Sequence, residues 1–100
     1  MSLSSQQKKH YRSIGHGLNP IVTIAANGLS ESVLAELERA LNDHELIKVK
    51  IAIDDKVTRA ALAQSICDQC TCELVQEIGK VALLLRESKK PKPNLSNLRR

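Results

Sequence analysis

Three cysteines form the closest group of potential metal ligands in this sequence, with Cys67, Cys70 and Cys72 spaced as C-x-x-C-x-C. Zinc sites use thiolates at such short spacings, but a structural zinc ion takes four ligands and no fourth one lies nearby. An odd number of cysteines without a distant partner also disfavours a disulfide framework. Because Cys67 and Cys70 fall on the apolar rows of a predicted helix, we interpret the cysteines as reduced thiols. We predict no metal site and no cofactor, with zinc binding as the less favoured alternative.

The histidines and acidic residues form no pattern that predicts catalysis. His10, His16 and His44 stand in no Ser/His/Asp or Cys/His arrangement. His44 falls near the end of a predicted helix, where a cation is favoured, and Asp54 and Asp55 fit the start of another helix as caps. We therefore predict that the protein is not an enzyme and has no small-molecule substrate.

A short loop offers a different kind of chemistry, the binding of a phosphate. It joins a predicted strand to a predicted helix and consists of Ala25, Ala26, Asn27 and Gly28. Backbone N–H groups at the N-terminus of a helix attract anions, because they lack partners within the helix and lie at the positive end of its dipole. A tight turn in which Gly28 only supplies a positive φ angle explains the same residues equally well.

Basic residues that could surround this loop favour the phosphate interpretation. Three lie on the first predicted helix and two on the second predicted strand: Lys8, Lys9, Arg12, Lys48 and Lys50. No acidic residue precedes the loop. Residues 86–100 contain six cations and a single acidic residue, Glu87. Basic ends on a chain of net charge +4 suit a polyanion. A basic tail that only raises solubility would look the same.

The scarcity of aromatic residues narrows the classes of partner. Tyr11 is the only aromatic residue, so the chain lacks the stacking platforms on which an RNA recognition motif holds bases. It also lacks the Trp and Tyr anchors of large protein interfaces. DNA binding is disfavoured because no helix combines a recognition position with a basic face. We therefore predict an RNA-binding protein, and the alternative is a protein-interaction module that binds an acidic partner.

Three helices are predicted from capping residues and apolar periodicity. The first begins at Ser4 in a capping box with Gln7, and we expect Gly15 to end it in the left-handed conformation. The second has Ser30 as its N-cap and ends near Asn42-Asp43. The third begins at the two aspartates already named.

Four strands are predicted between and after these helices, at residues 21–24, 46–53, 74–78 and 81–85. In the second strand, Ile47 and Val49 alternate inward, which leaves Lys48 and Lys50 on the opposite face. The last two strands surround Gly79-Lys80, a hairpin turn of type II′. We expect Lys80 to lie at the end of the sheet away from the Ala25–Gly28 loop. The element order is αβαβαββ, which predicts a compact α/β domain.

The chain is short enough for a single domain, which we place at residues 1–87. Residues 88–100 contain two prolines and no apolar periodicity, so we expect a basic, disordered C-terminal tail. No apolar run is long enough to span a bilayer or to act as a secretory signal. We expect a cytoplasmic monomer without membrane partners.

Several segments together resemble a known family. These are Asn27-Gly28-Leu29, Val33-Leu34-Ala35-Glu36, His44-Glu45-Leu46-Ile47-Lys48-Val49-Lys50 and Ile78-Gly79-Lys80. In order and spacing they are similar to the CRM domain, the chloroplast RNA splicing and ribosome maturation module, in its stand-alone bacterial YhbY form. The resemblance covers roughly residues 3–86, which makes it more specific than the loop alone.

The resemblance implies a fold similar to the C-terminal domain of bacterial translation initiation factor 3, with a four-stranded mixed sheet. It also implies binding to RNA, and association with ribosomal RNA in precursors of the large ribosomal subunit. The family loop has the form G-x-x-G, like the backbone clamp of KH domains. Its second glycine corresponds to Gly28, but Ala25 stands at its first. We expect RNA binding that is weakened by the methyl group of Ala25 and retained.

Overall fold

A computed structural model describes residues 3–98 and contains the predicted order of helices and strands. The elements are α1 (Ser5–Gly15), β1 (Pro20–Ile24), α2 (Glu31–His44), β2 (Leu46–Ile51), α3 (Lys56–Cys70), β3 (Glu73–Ile78) and β4 (Val81–Leu85). The prediction of a compact αβαβαββ α/β fold is therefore confirmed. Within residues 3–98, no helix has the length and apolar character needed to cross a bilayer.

The four strands form one mixed sheet in the order β1-β2-β4-β3. β1 and β2 are parallel, because α2 carries the chain back to the start of the sheet between them. β4 runs antiparallel to both β2 and β3. The carboxyl ends of β1 and β2 and the β3–β4 hairpin therefore lie at the same end of the sheet, which we call the loop end.

The two faces of the sheet are covered differently. α2 and α3 pack on one face over a core that includes Ile24, Leu41 and Ile66. α1 packs on the other face over a smaller core of four buried residues, Leu46, Val75, Leu83 and Leu85, and we call this side the α1 face. Because side chains alternate along a strand, the structure puts Lys48 and Lys50 on the α1 face with Leu46, as predicted.

Strand β2 is shorter than predicted and ends at Ile51, two residues before Ile53. The backbone N–H of Ala52 still donates to the carbonyl of Ile24 at 2.8 Å, but the N–H of Ile53 turns back to the carbonyl of Ile51 at 2.9 Å. The chain thus leaves the sheet one residue after the strand and enters α3, whose N-cap is Asp55.

The start of α1 is as predicted, and its end is not. Ser4 and Gln7 form the capping box, with each side chain bonded to the backbone N–H of the other residue. Gly15 does not adopt the left-handed conformation, since the helix is capped by His16 at φ −56° and Gly15 is its buried last residue. A Cβ at Gly15 would lie 2.6 Å from Cδ2 of Leu83. This glycine therefore allows the helix to approach the sheet closely.

The segment of residues 88–98, expected to be disordered, packs against the end of the sheet opposite the loop end. The carboxylate of Glu45 accepts hydrogen bonds from the N–H of Ser88 at 3.1 Å and from Oγ of Ser96 at 3.0 Å. Both Glu45 and Ser96 are fully buried. Nδ2 of Asn97 donates to the carbonyl of Leu46 at 2.6 Å. The prediction of a disordered tail is therefore wrong for this segment.

The physical reason is that this segment is held by polar contacts rather than by a periodic apolar face. A buried carboxylate needs donors, and the segment supplies them. Composition and periodicity do not register such contacts. Arg99 and Arg100, the last two cations of the expected tail, lie outside the described residues, and whether residues 1–87 fold alone stays a prediction.

Arg86, which directly follows β4, ties the sheet to both helices of the opposite layer. Its guanidinium donates to the carbonyl of Cys70 at 2.9 Å and to Oδ1 of Asn42 at 2.9 Å, and it forms an ion pair with Glu38 at 2.5 Å. The hydrogen bond from Arg86 lowers the pKa of Glu38 below its ordinary value, and their attraction adds to the effect.

Candidate nucleic-acid interface

The Ala25–Gly28 loop is a tight turn at the loop end of the sheet. The N–H of Gly28 donates to the carbonyl of Ala25 at 2.9 Å, and Gly28 has φ +68°. Only Glu45 and Thr71 among the described non-glycine residues have a positive φ, so Ala25 keeps a conformation that any residue adopts. The methyl group of Ala25 therefore puts no strain on the turn.

The loop presents backbone donors to solvent beside the start of α2. Ala26 and Asn27 are exposed, and their N–H groups have no acceptor within residues 3–98. The side chain of Ser30 accepts from the N–H of Val33 at 3.2 Å, which satisfies one donor of the first turn. Glu31 occupies the same turn and competes for the positive end of the dipole. The N–H groups of the loop therefore add to the donors that the first turn of α2 still offers to an anion.

Lys50 lies near this loop on β2, and Lys48 lies two residues further from it along the same strand. Lys50 is the register partner of Thr23, which stands two residues before the loop, and Lys48 is the partner of Pro20. Lys50 is exposed and Lys48 is half-buried. Neither ammonium group has a carboxylate partner within residues 3–98. Their positive charge is therefore available on the α1 face beside the loop.

The cations of α1 lie on the α1 face rather than at the loop itself. Tyr11 and Ile14 pack toward the sheet, and the helix contacts β2 and β3. Lys8, Arg12 and His16 are spaced by four residues and so follow one side of the helix toward its C-terminal end. The exposed Lys9 lies beside this row.

α1 and α2, which cover opposite faces of the sheet, carry opposite charge. α1 contains three cations and no acidic residue, and the neighbouring strand adds Lys48 and Lys50. On the other side, α2 contains four carboxylates against Arg39 alone: Glu31, Glu36, Glu38 and Asp43. A polyanion is therefore attracted to the α1 face and repelled from α2.

Lys80 lies at the loop end of the sheet, so the expectation that it lies at the opposite end is wrong. The N–H of Ile51 donates to the carbonyl of Lys80 at 2.6 Å, which fixes the hairpin turn beside the end of β2. Nζ of Lys80 is 2.7 Å from Oδ1 of Asp54, and this hydrogen bond lowers the pKa of Asp54 below its usual value. Lys80 is thus close to the site but already paired with a carboxylate.

Two further cations at the loop end were not identified from the sequence. Lys56 and Arg59 stand in the first turn of α3 and line a depression beside Gly79. Nη1 of Arg59 donates to the carbonyls of Ile53 and Asp54, both at 2.7 Å, so this side chain also holds the β2–α3 connection. In the sequence, both cations stand at the start of the third predicted helix. This position shows that they lie at the loop end only when the order of the strands in the sheet is known.

The thiols have a packing role. Cys67 and Cys70 are buried in the core beneath α3, as the helical rows predicted, and Cys72 packs against that core. A hydrogen bond with Cys67, followed by burial, raises the pKa of Cys72, and burial raises the pKa of Cys70. No group of three potential metal ligands converges in the described part of the chain.

Comparison with known proteins identifies the family. The model of the CRS1/YhbY (CRM) domain matches residues 3–86. The chain belongs to the CRM domain family. A Pseudomonas aeruginosa relative named "Probable RNA-binding protein" is 56% identical over 100 residues, which cover 100% of this chain and 96% of the relative. A Haemophilus influenzae relative named "RNA-binding protein" is 44% identical over 94 residues, with coverages of 94% and 95%.

The fold of this CRM domain is shared by a solved structure. The solution structure of a hypothetical protein from Staphylococcus aureus superimposes with a TM-score of 0.79 at 33% identity, and covers 90% of this chain and 94% of that one. The resemblance noted in the sequence is therefore confirmed for both the family and the fold. Both bacterial relatives are matched over nearly their whole length.

Proposed function

We propose that this CRM domain is a non-catalytic RNA-binding protein that associates with ribosomal RNA in precursors of the large ribosomal subunit. The observation that carries the proposal is that exposed loop donors and two lysines without ion-pair partners, Lys48 and Lys50, occur on the same part of the sheet. The helix on the face of these lysines, α1, contains no acidic residue. The names of the bacterial relatives support RNA as the ligand. The reduced state expected for the cysteines supports a cytoplasmic site of action.

Phosphate contacts account for binding in this proposal. The N–H groups of Ala26 and Asn27 hold one phosphate, because they have no acceptor within residues 3–98 and belong to exposed residues before the N-terminus of α2. Lys50 and Lys48 then contact the neighbouring backbone, and the row on α1 extends the basic track. Contacts of this kind supply affinity that depends on salt and read the shape of the RNA more than its sequence.

Salt dependence of binding tests the proposal. Each phosphate contact contributes about 0.7–0.9 to the slope of log K against log salt, so Lys48→Ala with Lys50→Ala should lower the slope by about 1.5. Arg39→Ala is the matched control, since it removes an exposed cation from the acidic side. Equal slopes for the double variant and the parent, measured on a ribosomal RNA fragment, would remove the α1 face from the RNA site.

Association with ribosome precursors needs a separate measurement. The protein should sediment with large-subunit precursors in a cell lysate, and ribonuclease should release it from them. Under the alternative of a protein-interaction module with an acidic partner, ribonuclease would leave the complexes intact. The basic α1 face fits either partner, and the names of the bacterial relatives favour RNA.

A further inference from the structure

The part of the α1 face that the helix leaves uncovered contains a shallow depression of about 280 Å³. Aliphatic side chains of the sheet form its floor, and three polar side chains stand around it. The lining residues are Pro20, Ile78, Val81 and Leu83, with His16, Lys48 and Gln76. Ile78 is 65% exposed, which is unusual for an isoleucine in a small sheet.

We infer that this depression binds the base of one unpaired RNA nucleotide. The inference rests on the proposed RNA-binding function and adds to it a contact with a base, whereas the loop and the lysines contact phosphates. The volume lies just below the range of about 300–1,000 Å³ typical of small-molecule pockets, so it suits a single flat ring system. A base in a bulge or loop can leave its stack and enter such a site, while a base within a duplex cannot.

The chemistry of the lining matches a base that is attached to a phosphate. Ile78 and Val81 offer apolar contact to the face of the ring, in place of the aromatic platforms that this chain lacks. The amide of Gln76 can both donate to and accept from the edge of a base. The ammonium group of Lys48 stands beside the floor and complements the charge of the nucleotide's phosphate.

The polar side chains around the depression are uncommitted. Within residues 3–98, neither Gln76 nor His16 forms a side-chain hydrogen bond, and Lys48 has no ion-pair partner. Polar groups that converge on an apolar floor without partners of their own are typical of ligand sites. A rim of this kind does not favour an acidic peptide, whose carboxylates would gain nothing from the aliphatic floor.

The test compares two RNA hairpins that differ only by one bulged nucleotide in the stem. The parent protein should bind the bulged hairpin about fivefold more tightly than the perfect hairpin. This gain in affinity is at the low end of the range for a base stacked on an aromatic side chain, because the floor is aliphatic. Ile78→Ser removes the exposed floor without changing charge, and should abolish the preference while the affinity for the perfect hairpin stays unchanged. Val57→Ser is the matched control, since Val57 is 77% exposed on α3 and lies outside the depression.

Base identity gives a second measurement. Placing each of the four bases at the bulge should reveal a preference in the parent, and Gln76→Ala should level it without weakening binding to the perfect hairpin. Equal affinity of the parent for the two hairpins would overturn the inference, as would a preference that survives Ile78→Ser. If the parent binds neither hairpin, or binds poly-glutamate more tightly than both, the proposed function itself is wrong. The two failures are thus distinguishable.

Discussion

Replacing Gly28 by Asp and by Asn separates the two interpretations of the Ala25–Gly28 loop. Both side chains have the same size and tolerate a positive φ better than other residues, and they differ by one negative charge. A Cβ at Gly28 meets no atom within 4 Å, so neither variant creates a clash. The structural cost is therefore that of the backbone at φ +68°, and it is the same for both variants.

The size of each effect follows from this geometry. Placing a non-glycine residue at positive φ costs about 1 kcal/mol, which lowers the Tm of a domain of this size by about 4–8 °C. Two unit charges about 6 Å apart repel by about 0.7 kcal/mol in water and by about 3 kcal/mol at the effective dielectric of a protein surface. Because the loop is exposed, we expect Gly28→Asp to bind RNA about tenfold more weakly than Gly28→Asn.

The assay is equilibrium binding of both variants to one ribosomal RNA fragment at matched salt, with thermal unfolding measured in parallel. Gly28→Asn should bind nearly as well as the parent, since it leaves the N–H groups of Ala26 and Asn27 in place. Lys80→Ala should have a mild effect, because its ammonium group is already paired with Asp54. If Gly28→Asp unfolds like Gly28→Asn and binds equally well, the loop is only a turn and our placement of the phosphate is wrong.

Three further predictions follow from the packing and the ion pairs. Gly15→Ala should destabilise the fold by about 1–3 kcal/mol through overpacking, whereas Gly17→Ala, with open space at its Cβ, should leave the Tm almost unchanged. Replacing the exposed Lys89 and Lys90 by Ala should reduce the salt slope of RNA binding without lowering the Tm, while removal of residues 88–100 should lower both. The pKa of Glu38 is lower in the folded protein than in the unfolded chain, so its ion pair stabilises the fold at a pH above the unfolded-state pKa. This stability is lost as the pH falls through the folded-state pKa. Glu38→Gln should therefore flatten the acid side of a curve of stability against pH.

Features encoded by neighbouring residues were predictable from the sequence. The capping box at Ser4, the N-cap at Ser30 and the alternation along β2 depend on contacts between residues at most four positions apart. The positive φ of Gly79 in the hairpin is of the same kind. Such patterns are visible in any window of a few residues, so their prediction does not require the tertiary structure.

Features that depend on distant contacts were not predictable in this way. We predict Gly15 as the end of α1 in the left-handed conformation, because glycine often ends a helix in this way. Its actual role depends on its closeness to Leu83, which is 68 positions away in the sequence. The placement of Lys80 failed because it depends on the sheet order, which puts β4 between β2 and β3. The C-terminal segment was misread because its partner, the buried Glu45, is also distant in sequence.

The position of the proposed RNA surface is set by how far α1 extends over the sheet. On the α1 face, β2 begins with the buried Leu46 and continues with Lys48 and Lys50, so the face changes from apolar to basic along one strand. Leu83, which contacts the last residue of α1, is the register partner of Lys48. The helix therefore ends where the lysines begin. A longer helix would cover them, so the length of α1 keeps these cations available.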